Sequence, residues 1–163
     1  MTSSDSHKTA APRIKPVKPG ALRAVDEGVF VEGEDDLEAV ESCDDSRIGS
    51  WEVCDAIWRS VHFSGCKIGY LNLRDAEVSD LKFTNCVIEE LDLMRAKASR
   101  VAFTDCRIGR LELAGSRLAD VDLRGAQLTD VGDLAGLSGV TVSLEQLLDL
   151  APLMAARLGV TVE

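Results

Sequence analysis

The apolar positions of the chain follow a period of five residues. Beginning at Ile48, an apolar side chain returns at every fifth position as far as Leu128. A helix of period 3.6 or a strand of period 2 does not produce this spacing. These positions are Ile48, Val53, Trp58, Phe63, Ile68, Leu73, Val78, Phe83, Ile88, Leu93, Ala98, Phe103, Ile108, Leu113, Leu118, Leu123 and Leu128. We therefore predict a structural unit of five residues with one large inward side chain.

A second apolar or small residue lies two positions before each of these side chains. Examples are Cys66, Leu71 and Ala76, whereas the other three positions of each unit are mostly polar, charged or Gly. Two side chains of each unit are thus predicted to face inward and three outward.

A longer period, of four such units, is superimposed on the unit of five. Identical residues return after every fourth unit in three columns. The Phe column is Phe63, Phe83 and Phe103, the Cys column is Cys66, Cys86 and Cys106, and the Leu column is Leu73, Leu93 and Leu113. Four units therefore complete one coil, and each unit forms one side of it. Stacked extended chains lie ~4.8 Å apart, so each column is predicted to be in contact along the axis and to form the core.

This pattern resembles that of the pentapeptide-repeat family, whose consensus is a small residue, Asp or Asn, Leu and two variable positions. The resemblance covers roughly residues 43 to 134, and the Asp or Asn position is matched by Asn72, Asp92 and Asp122. It implies an all-β solenoid, a right-handed four-sided β-helix, here of about four coils. It also implies a candidate activity, because some members resemble B-form DNA and bind DNA gyrase or topoisomerase IV, with an effect on quinolone action.

The segments on either side of the repeat differ from it in composition. We predict a disordered tail at 1–18, an acidic N-terminal cap at 19–45, the β-helix at 46–139 and a C-terminal helical cap at 140–163. Apolar residues between Leu22 and Leu37 are expected to form a short strand or turn over the first coil. Ser143 and Gln146 have capping-box spacing at a helix start, and Gly159 suits its end. Pro152 predicts a kink or two short helices, and residues 160–162 a short final strand.

The charge of the chain is distributed unevenly. Of a formal net charge of −10, residues 1–25 contribute +4, residues 26–45 carry ten acids and no base, and residues 47–133 carry twelve bases and fourteen acids. The repeat itself is therefore nearly neutral. No early apolar segment resembles a signal peptide, and no apolar run is long enough to span a bilayer, so we expect a cytoplasmic protein that does not bind membranes.

Catalytic chemistry finds little support in the sequence. The column of Cys66, Cys86 and Cys106 is straight and includes no His, so we interpret it as core packing rather than a metal site. Cys54 is predicted to face outward as the only repeat cysteine able to react, although a plain exposed thiol is the simpler interpretation. His62 is read as a surface residue. Without a recognised catalytic motif or a pocket on convex sides, we expect no enzyme, no metal and no cofactor.

Two outward columns form the candidate binding surface. Arg47, Lys67 and Arg107 align at one position, interrupted by Val87, with Arg110 beside them. On the next side, Glu52, Asn72, Asp92 and Glu112 form a column of acids and amides, and the following side, with Glu77, Lys97 and Arg117, is mixed.

These features favour a non-catalytic module or small scaffold that binds another protein. The alternative is a DNA mimic that binds DNA gyrase or topoisomerase IV, for which the rod is short and only one side is acidic. Direct binding to nucleic acid is not expected. A third candidate face consists of Leu144, Leu147, Leu148 and Met154, which must be covered by the last coil, giving a monomer, or by a second copy, giving a homodimer through the C-terminal helix.

Overall fold

The computed structural model describes residues 30–32, 37–42 and 47–163, and strands make up most of them. The strands are β1 (Phe30–Glu32), β2 (Leu37–Ser42), β3 (Arg47–Glu52), β4 (Ile57–Ser64), β5 (Lys67–Asn72), β6 (Glu77–Thr84), β7 (Val87–Asp92), β8 (Lys97–Thr104), β9 (Cys106–Glu112), β10 (Arg117–Asp122), β11 (Ala126–Val131) and β12 (Val140–Thr141). A 3-10 helix at Leu134–Leu137 and an α-helix, α1 (Leu144–Leu158), follow the last long strands.

Successive strands alternate between two parallel sheets, so the chain winds as a solenoid. One sheet has the order β1-β3-β5-β7-β9-β11 and the other β12-β10-β8-β6-β4-β2. Strands of the repeat pair with the register that four units of five predict, as in Lys67 with Val87 and Phe63 with Phe83. The fold is a parallel β-solenoid of about five turns with one C-terminal helix. The predicted solenoid and its helical cap are confirmed, and the estimate of four coils was slightly low.

The N-terminal strands extend the stack ahead of the regular repeat. β1 pairs with β3, where Phe30 lies opposite Ser50, and β2 pairs with β4, where Leu37 lies opposite Trp58. The predicted short strand over the first coil is thus present as two strands. The predicted tail at 1–18 lies outside the described residues. So does the predicted acidic cap at 19–45, including Leu22, apart from the residues of β1 and β2.

The interior consists of the columns that the longer period predicts. All nine residues predicted for the core columns of Phe, Cys and Leu are buried. The Phe63 and Phe83 rings stack at 5.0 Å with an interplanar angle of 11°, and Phe83 and Phe103 stack at 5.0 Å with 2°. Trp51 and Trp58 extend this aromatic stack toward the N-terminal end, with Trp58 at 5.6 Å from Phe63. Each coil thus buries its apolar side chains against the coils before and after it.

Left-handed backbone marks most corners of the coils. Nine residues other than Gly have positive φ among the described residues: Asp55, Ser60, Asp75, Asp80, Asn85, Arg95, Arg100, Asp105 and Asp120. Asp and Asn tolerate this conformation better than most side chains, which explains their frequency at the corners. Arg95 and Arg100, with φ of 57° and 53°, are less usual occupants.

The repeat ends in a shortened coil. Val140 of β12 lies opposite Val121, so this coil contains one residue fewer than the regular coils before it. The 3-10 helix lies between β11 and β12 and packs closely on the preceding coil. A side chain at Gly136 would place its Cβ 2.5 Å from the Cβ of Leu113, so the position requires glycine.

Helix α1 has the ends that the sequence predicts. Ser143 and Gln146 form a reciprocal capping box, and Gly159 at φ 69° ends the helix with its amide bonded to the carbonyls of Ala155 and Ala156. Of the kink or two short helices predicted at Pro152, the two helices are wrong, because α1 is one helix of 15 residues that contains the proline. The carbonyl that loses its partner belongs to Leu148, an exposed residue, so water can replace the missing bond. Residues 160–162 form no strand, since they extend beyond the coils and are exposed.

One face of α1, which we call the docked face, lies on the last coil. Leu150 is buried there, and Leu153 and Met154 pack against the core. The Gln146 side chain donates from Nε2 to the carbonyls of Leu123, at 2.5 Å, and Ala126, at 2.6 Å. Arg157 donates to the carbonyl of Gly132 and to Asp130. The helix therefore covers the last coil with both apolar packing and bonds to backbone carbonyls.

Candidate functional site

The acidic column of the sequence prediction is aligned but only partly accessible. Glu52, Asn72, Asp92 and Glu112 lie opposite one another in consecutive coils. Asn72 and Asp92 are nevertheless buried, and Asp92 has no exposed surface. The prediction that this column faces outward is wrong at these two positions, because both side chains fold back against the turn that follows them. Their predicted role in binding a partner loses its basis.

Asp92 is held by three donors from its own surroundings. Its carboxylate accepts from Arg74 Nε at 2.7 Å, from the Tyr70 hydroxyl at 3.3 Å and from the backbone N–H of Met94 at 3.0 Å. Arg74 is itself 42% exposed. A buried carboxylate with such partners is a structural group whose hydrogen bonds compensate for its lost hydration.

The same turn recurs at each Asp or Asn that matches the family consensus. Asn72 and Asp122 accept from the N–H two residues onward, that of Arg74 at 3.1 Å and that of Arg124 at 3.0 Å, as Asp92 does. Such Asx turns stabilise a bend with a side chain in place of the backbone. The consensus position therefore serves the corner of the coil, which spacing alone did not reveal.

Tyr70 differs from an ordinary surface tyrosine. Burial, and then the negative charge of Asp92 and the hydrogen bond to it, raise the pKa of Tyr70 to about 12. Its hydroxyl stays protonated and donates to Asp92, so it is a partner of that carboxylate and not a base.

The basic column is present with the predicted alignment. Arg47, Lys67, Val87 and Arg107 lie opposite one another, all exposed, and Gln127 continues the column. Arg110 does not add a free positive charge to it. Its guanidinium pairs with Asp130 at 2.9 Å and with Glu112 at 3.2 Å. The basic edge is therefore narrower than the sequence predicts.

Three ion pairs join the coil of residues 66–85 to the coil of residues 86–105. Each pair links equivalent positions of the two coils: Arg95 with Asp75 at 2.6 Å, Lys97 with Glu77 at 2.7 Å and Arg100 with Asp80 at 2.7 Å. The two arginines each form two bonds to their carboxylate. Acids of one coil thus lie beside bases of the next, and little of this charge is left for a partner.

Three of the four described cysteines are buried away from solvent, although a hydrogen bond with Cys86 lowers the pKa of Cys106 to about 7. Cys66, Cys86 and Cys106 are buried free thiols that donate to nearby carbonyls, and hydrogen bonds within the column, followed by burial, raise the pKa of Cys86. Cys54 is exposed, but partial burial and the charges of Glu52 and Asp55 raise its pKa as well. A raised pKa lowers the thiolate fraction, which argues against a nucleophilic Cys54. His62 contacts the Thr84 hydroxyl at 3.0 Å.

Neither a metal centre nor a membrane span is found within the described ranges. No group of three or more His, Cys, Asp or Glu among these residues could hold a metal ion. No helix in the same part of the chain is long and apolar enough to cross a bilayer.

A groove lies between α1 and the corner of the last three coils. It measures about 870 Å³, and its lining includes Val87, Arg107 and Gln127 on the coils and Glu145, Gln146 and Asp149 on the helix. The sequence did not predict this groove, because α1 supplies its second wall and the sides of the coils alone do not form it. Acids and bases are mixed in the lining, so the groove indicates no particular ligand charge.

The most distinctive surface is a second apolar face of α1. We call it the outer stripe and define it as Leu144, Leu147, Leu148, Ala151 and Leu158. These residues are exposed, Leu144 and Leu158 by 73%, Leu148 by 66% and Leu147 by 43%. At about 100° per residue, the outer stripe lies about 110° around the helix from the docked face. The candidate face predicted from the sequence is therefore divided between two sides of the helix. Met154 packs on the last coil. Leu144, Leu147 and Leu148 are uncovered.

Comparison with known families agrees with the architecture. The fold is that of a repeat solenoid, and the family model for the pentapeptide repeat region matches residues 56–132. Together these findings identify the chain as a pentapeptide-repeat protein. A comparison with curated proteins finds no match for it. Membership of this family fits a non-catalytic repeat protein.

Proposed function

We propose that the protein is a protein-binding module whose partner docks on the outer stripe of α1. The observation that carries the proposal is the exposure of four leucines on a helix whose other apolar face is already packed. Exposed apolar patches of this kind are typical of interaction sites, whereas single exposed leucines are not. A helix of a globular protein normally turns its apolar residues toward a packed neighbour.

The sides of the rod supply weaker candidates for the partner. Three acids of the middle coils, Asp75, Glu77 and Asp80, are paired with bases one coil away, and Asp92 is buried. The basic edge of Lys67 and Arg107 is interrupted by Val87, which is 38% exposed. Desolvating these charges would oppose binding unless the partner replaced their water, so the apolar stripe is the better anchor.

The alternative of a DNA mimic for gyrase or topoisomerase IV gains nothing from the described surface. Mimicry needs acids spread at about one charge per 1.7 Å of axis. The column that suggested it has two buried members, and the neighbouring acids are neutralised by arginine and lysine. A gyrase supercoiling assay with and without a fluoroquinolone decides this alternative, for which we expect no effect at a large molar excess.

Cytoplasmic location belongs to the same proposal. The four free thiols among the described residues, Cys54 and the three core cysteines, support a reducing compartment.

Photo-cross-linking from the outer stripe tests the proposal. Leu148→Cys, in a background with Cys43→Ser and Cys54→Ser, is labelled with a benzophenone maleimide and irradiated in native extract. The matched control carries the label at Val87→Cys, an exposed apolar position on the side of the rod. We expect a defined cross-linked polypeptide from position 148 and none from position 87. Equal cross-linking from both positions, or none from position 148, contradicts the proposal.

A further inference from the structure

We propose that the partner of the outer stripe is a basic amphipathic helix of another protein. Its apolar side chains cover the stripe, and its Lys or Arg side chains pair with Glu145 and Asp149 of α1. This inference rests on the proposed function and names the chemistry of its partner. The docked face of α1 is already packed on the last coil, so it is not free for a second helix.

Two carboxylates flank the outer stripe on the side of the groove. At about 100° per residue, Glu145 and Asp149 lie about 60° and 100° around α1 from Leu148. Both are exposed and line the groove, and neither side chain has an ion pair or hydrogen bond to another of the residues that the structure describes. Like charges four residues apart on a helix repel each other, so a cation placed beside both of them is favoured.

The helix has no base of its own to neutralise these acids. Arg157, the single base of α1, is bonded to Asp130 and to the carbonyl of Gly132 on the last coil. It therefore belongs to the docked side. The surface that a partner meets on α1 consists of exposed leucines with acids along one flank.

The charge of this flank distinguishes a basic helix from other occupants of an apolar helix face. An anionic lipid surface would be repelled by the two carboxylates. An acidic helix would place like charges together, which lowers affinity. A basic helix gains apolar contacts and paired charges at once, and flanking charges of this kind set the choice of partner and its orientation in paired helices.

The extent of the surface suits a modest interface. A helix of 15 residues is about 22 Å long, and two helices packed side by side bury roughly 1,000 Å², near the lower limit for a specific interface. We therefore expect a reversible complex with a dissociation constant on the order of micromolar. Because exposed charges are screened by salt, the complex should weaken as the salt concentration rises.

A pair of designed helical peptides tests the pairing with the full chain. The basic probe carries Leu at positions i, i+3, i+4 and i+7 and Lys along one flank of that face. The acidic probe is identical except for Glu in place of each Lys. In fluorescence anisotropy at low salt, the basic probe should bind at least about tenfold more tightly than the acidic probe. Equal affinities overturn the inference, and so does a basic probe that does not bind.

Charge reversal on α1 supplies matched variants of the chain. Glu145→Lys/Asp149→Lys should bind the basic probe about tenfold more weakly and the acidic probe more tightly, with an unchanged circular dichroism spectrum. The control Glu89→Lys/Glu90→Lys changes the net charge by the same amount on the side of the rod and should alter neither affinity. Equal effects of the two double variants overturn the inference, because net charge alone would then explain the binding.

Substitution of the stripe itself separates the possible occupants. Leu148→Glu should abolish binding of the basic probe. If the full chain alone sediments as a dimer that Leu148→Glu dissociates, or binds phosphatidylcholine vesicles in the same dependent way, the stripe has another occupant and the inference falls. If the polypeptide photo-cross-linked from position 148 is another protein that is joined through a segment other than a basic helix, the proposed function stands and this inference falls.

Discussion

Two regions of the molecule, the middle coils at residues 66–105 and helix α1, differ in how their side chains find partners. Both regions have apolar and polar side chains, but only in the coils do these pack and pair within the same chain. In the coils, Phe83 stacks between Phe63 and Phe103, and Asp80 pairs with Arg100. These side chains have their partners at the equivalent positions of neighbouring coils. In α1 the docked face has such a partner and the outer stripe has none in its own chain.

The difference follows from where the repeat stops. A coil in the middle of a solenoid has two neighbours, whereas a terminal element has one. Gln146 and Arg157 bond to carbonyls of the last coil, so α1 satisfies the end of the stack. Covering that end uses one face of the helix. The leucines on the outer stripe are not needed for that task, which makes them the part of the molecule available to another chain.

Replacing Phe83 with Ala should break the middle coils most strongly. The substitution leaves a cavity between two stacked rings, so we expect the free energy of unfolding to fall by about 3 to 5 kcal/mol. Urea denaturation followed by circular dichroism measures it. Leu148→Ala is the matched control from α1 and should change the stability of the monomer by less than about 0.5 kcal/mol. Equal losses in the two variants would contradict the comparison.

Removing the carboxylate of Asp92 should have the second largest effect. In Asp92→Ala, the Tyr70 hydroxyl and the Met94 N–H lose their acceptor, and we expect a loss of about 2 kcal/mol. Asp122→Ala removes the same Asx turn near the C-terminal end, where the side chain is partly exposed, and should cost about 1 kcal/mol. The same urea titration compares them. A larger loss at Asp122 than at Asp92 would show that burial does not set the difference.

The ion pair of Arg100 and Asp80 should contribute less. Arg100→Ala is expected to lower the free energy of unfolding by about 1 kcal/mol. The pair is joined by two hydrogen bonds, but it lies near solvent, which weakens the attraction between the charges. The swap Asp80→Arg/Arg100→Asp is the control, since both positions have a left-handed backbone and the pair can form in reverse. Stability should return most of the way in the swap and decrease with salt in the wild type. A swap as unstable as the single variant would exclude the pair as the cause.

A separate prediction concerns the ionisation of Tyr70, the only tyrosine in the chain. Its pKa is raised from 10.0 to about 12 in the folded protein, chiefly by burial and then by Asp92. The protonated hydroxyl is thus favoured by folding: this stability is present below pH 10 and is lost as the pH rises toward 12. Absorbance at 295 nm should show tyrosinate forming near pH 12, with circular dichroism reporting the fold. Asp92→Asn should move the transition part of the way back, and a transition near pH 10 in the folded wild type would contradict the assignment.

Acidification should also lower the stability of the fold, through the ion pairs, whereas Tyr70 acts at high pH. Hydrogen bonds from Arg95, Lys97 and Arg124 lower the pKa values of Asp75, Glu77 and Asp122 below their ordinary values. A lowered pKa contributes stability that is present above the ordinary value of 3.8 or 4.5 and is lost as the pH falls below it. Urea midpoints should therefore stay level from pH 7 to about pH 5 and fall below about pH 4. Midpoints that rise on acidification would contradict these pairs.

Several features of the candidate surfaces were predicted from the sequence because they depend on register alone. A period of four units places Lys67 beside Val87 and Arg107, and the structure has that alignment. The pairing of Arg110 was missed, although Asp130 occupies the equivalent position of the next coil and Glu112 lies on the same strand, which offered a signal. The burial of Asp92 was missed because the pattern assigns every polar residue outward. The recurring Asp or Asn before Leu was the signal that could have indicated an Asx turn.

The sequence by itself determined the solenoid, its register and its core, because each apolar column needs only a constant spacing to meet its own kind in the next coil. It also determined where α1 begins and ends, since the capping box and Gly159 are local. Tertiary structure alone decided which side of α1 meets the last coil and which is left uncovered. Both faces are apolar at helical spacing, and only the position of the coil, with Gln146 and Arg157 reaching its carbonyls, distinguishes them.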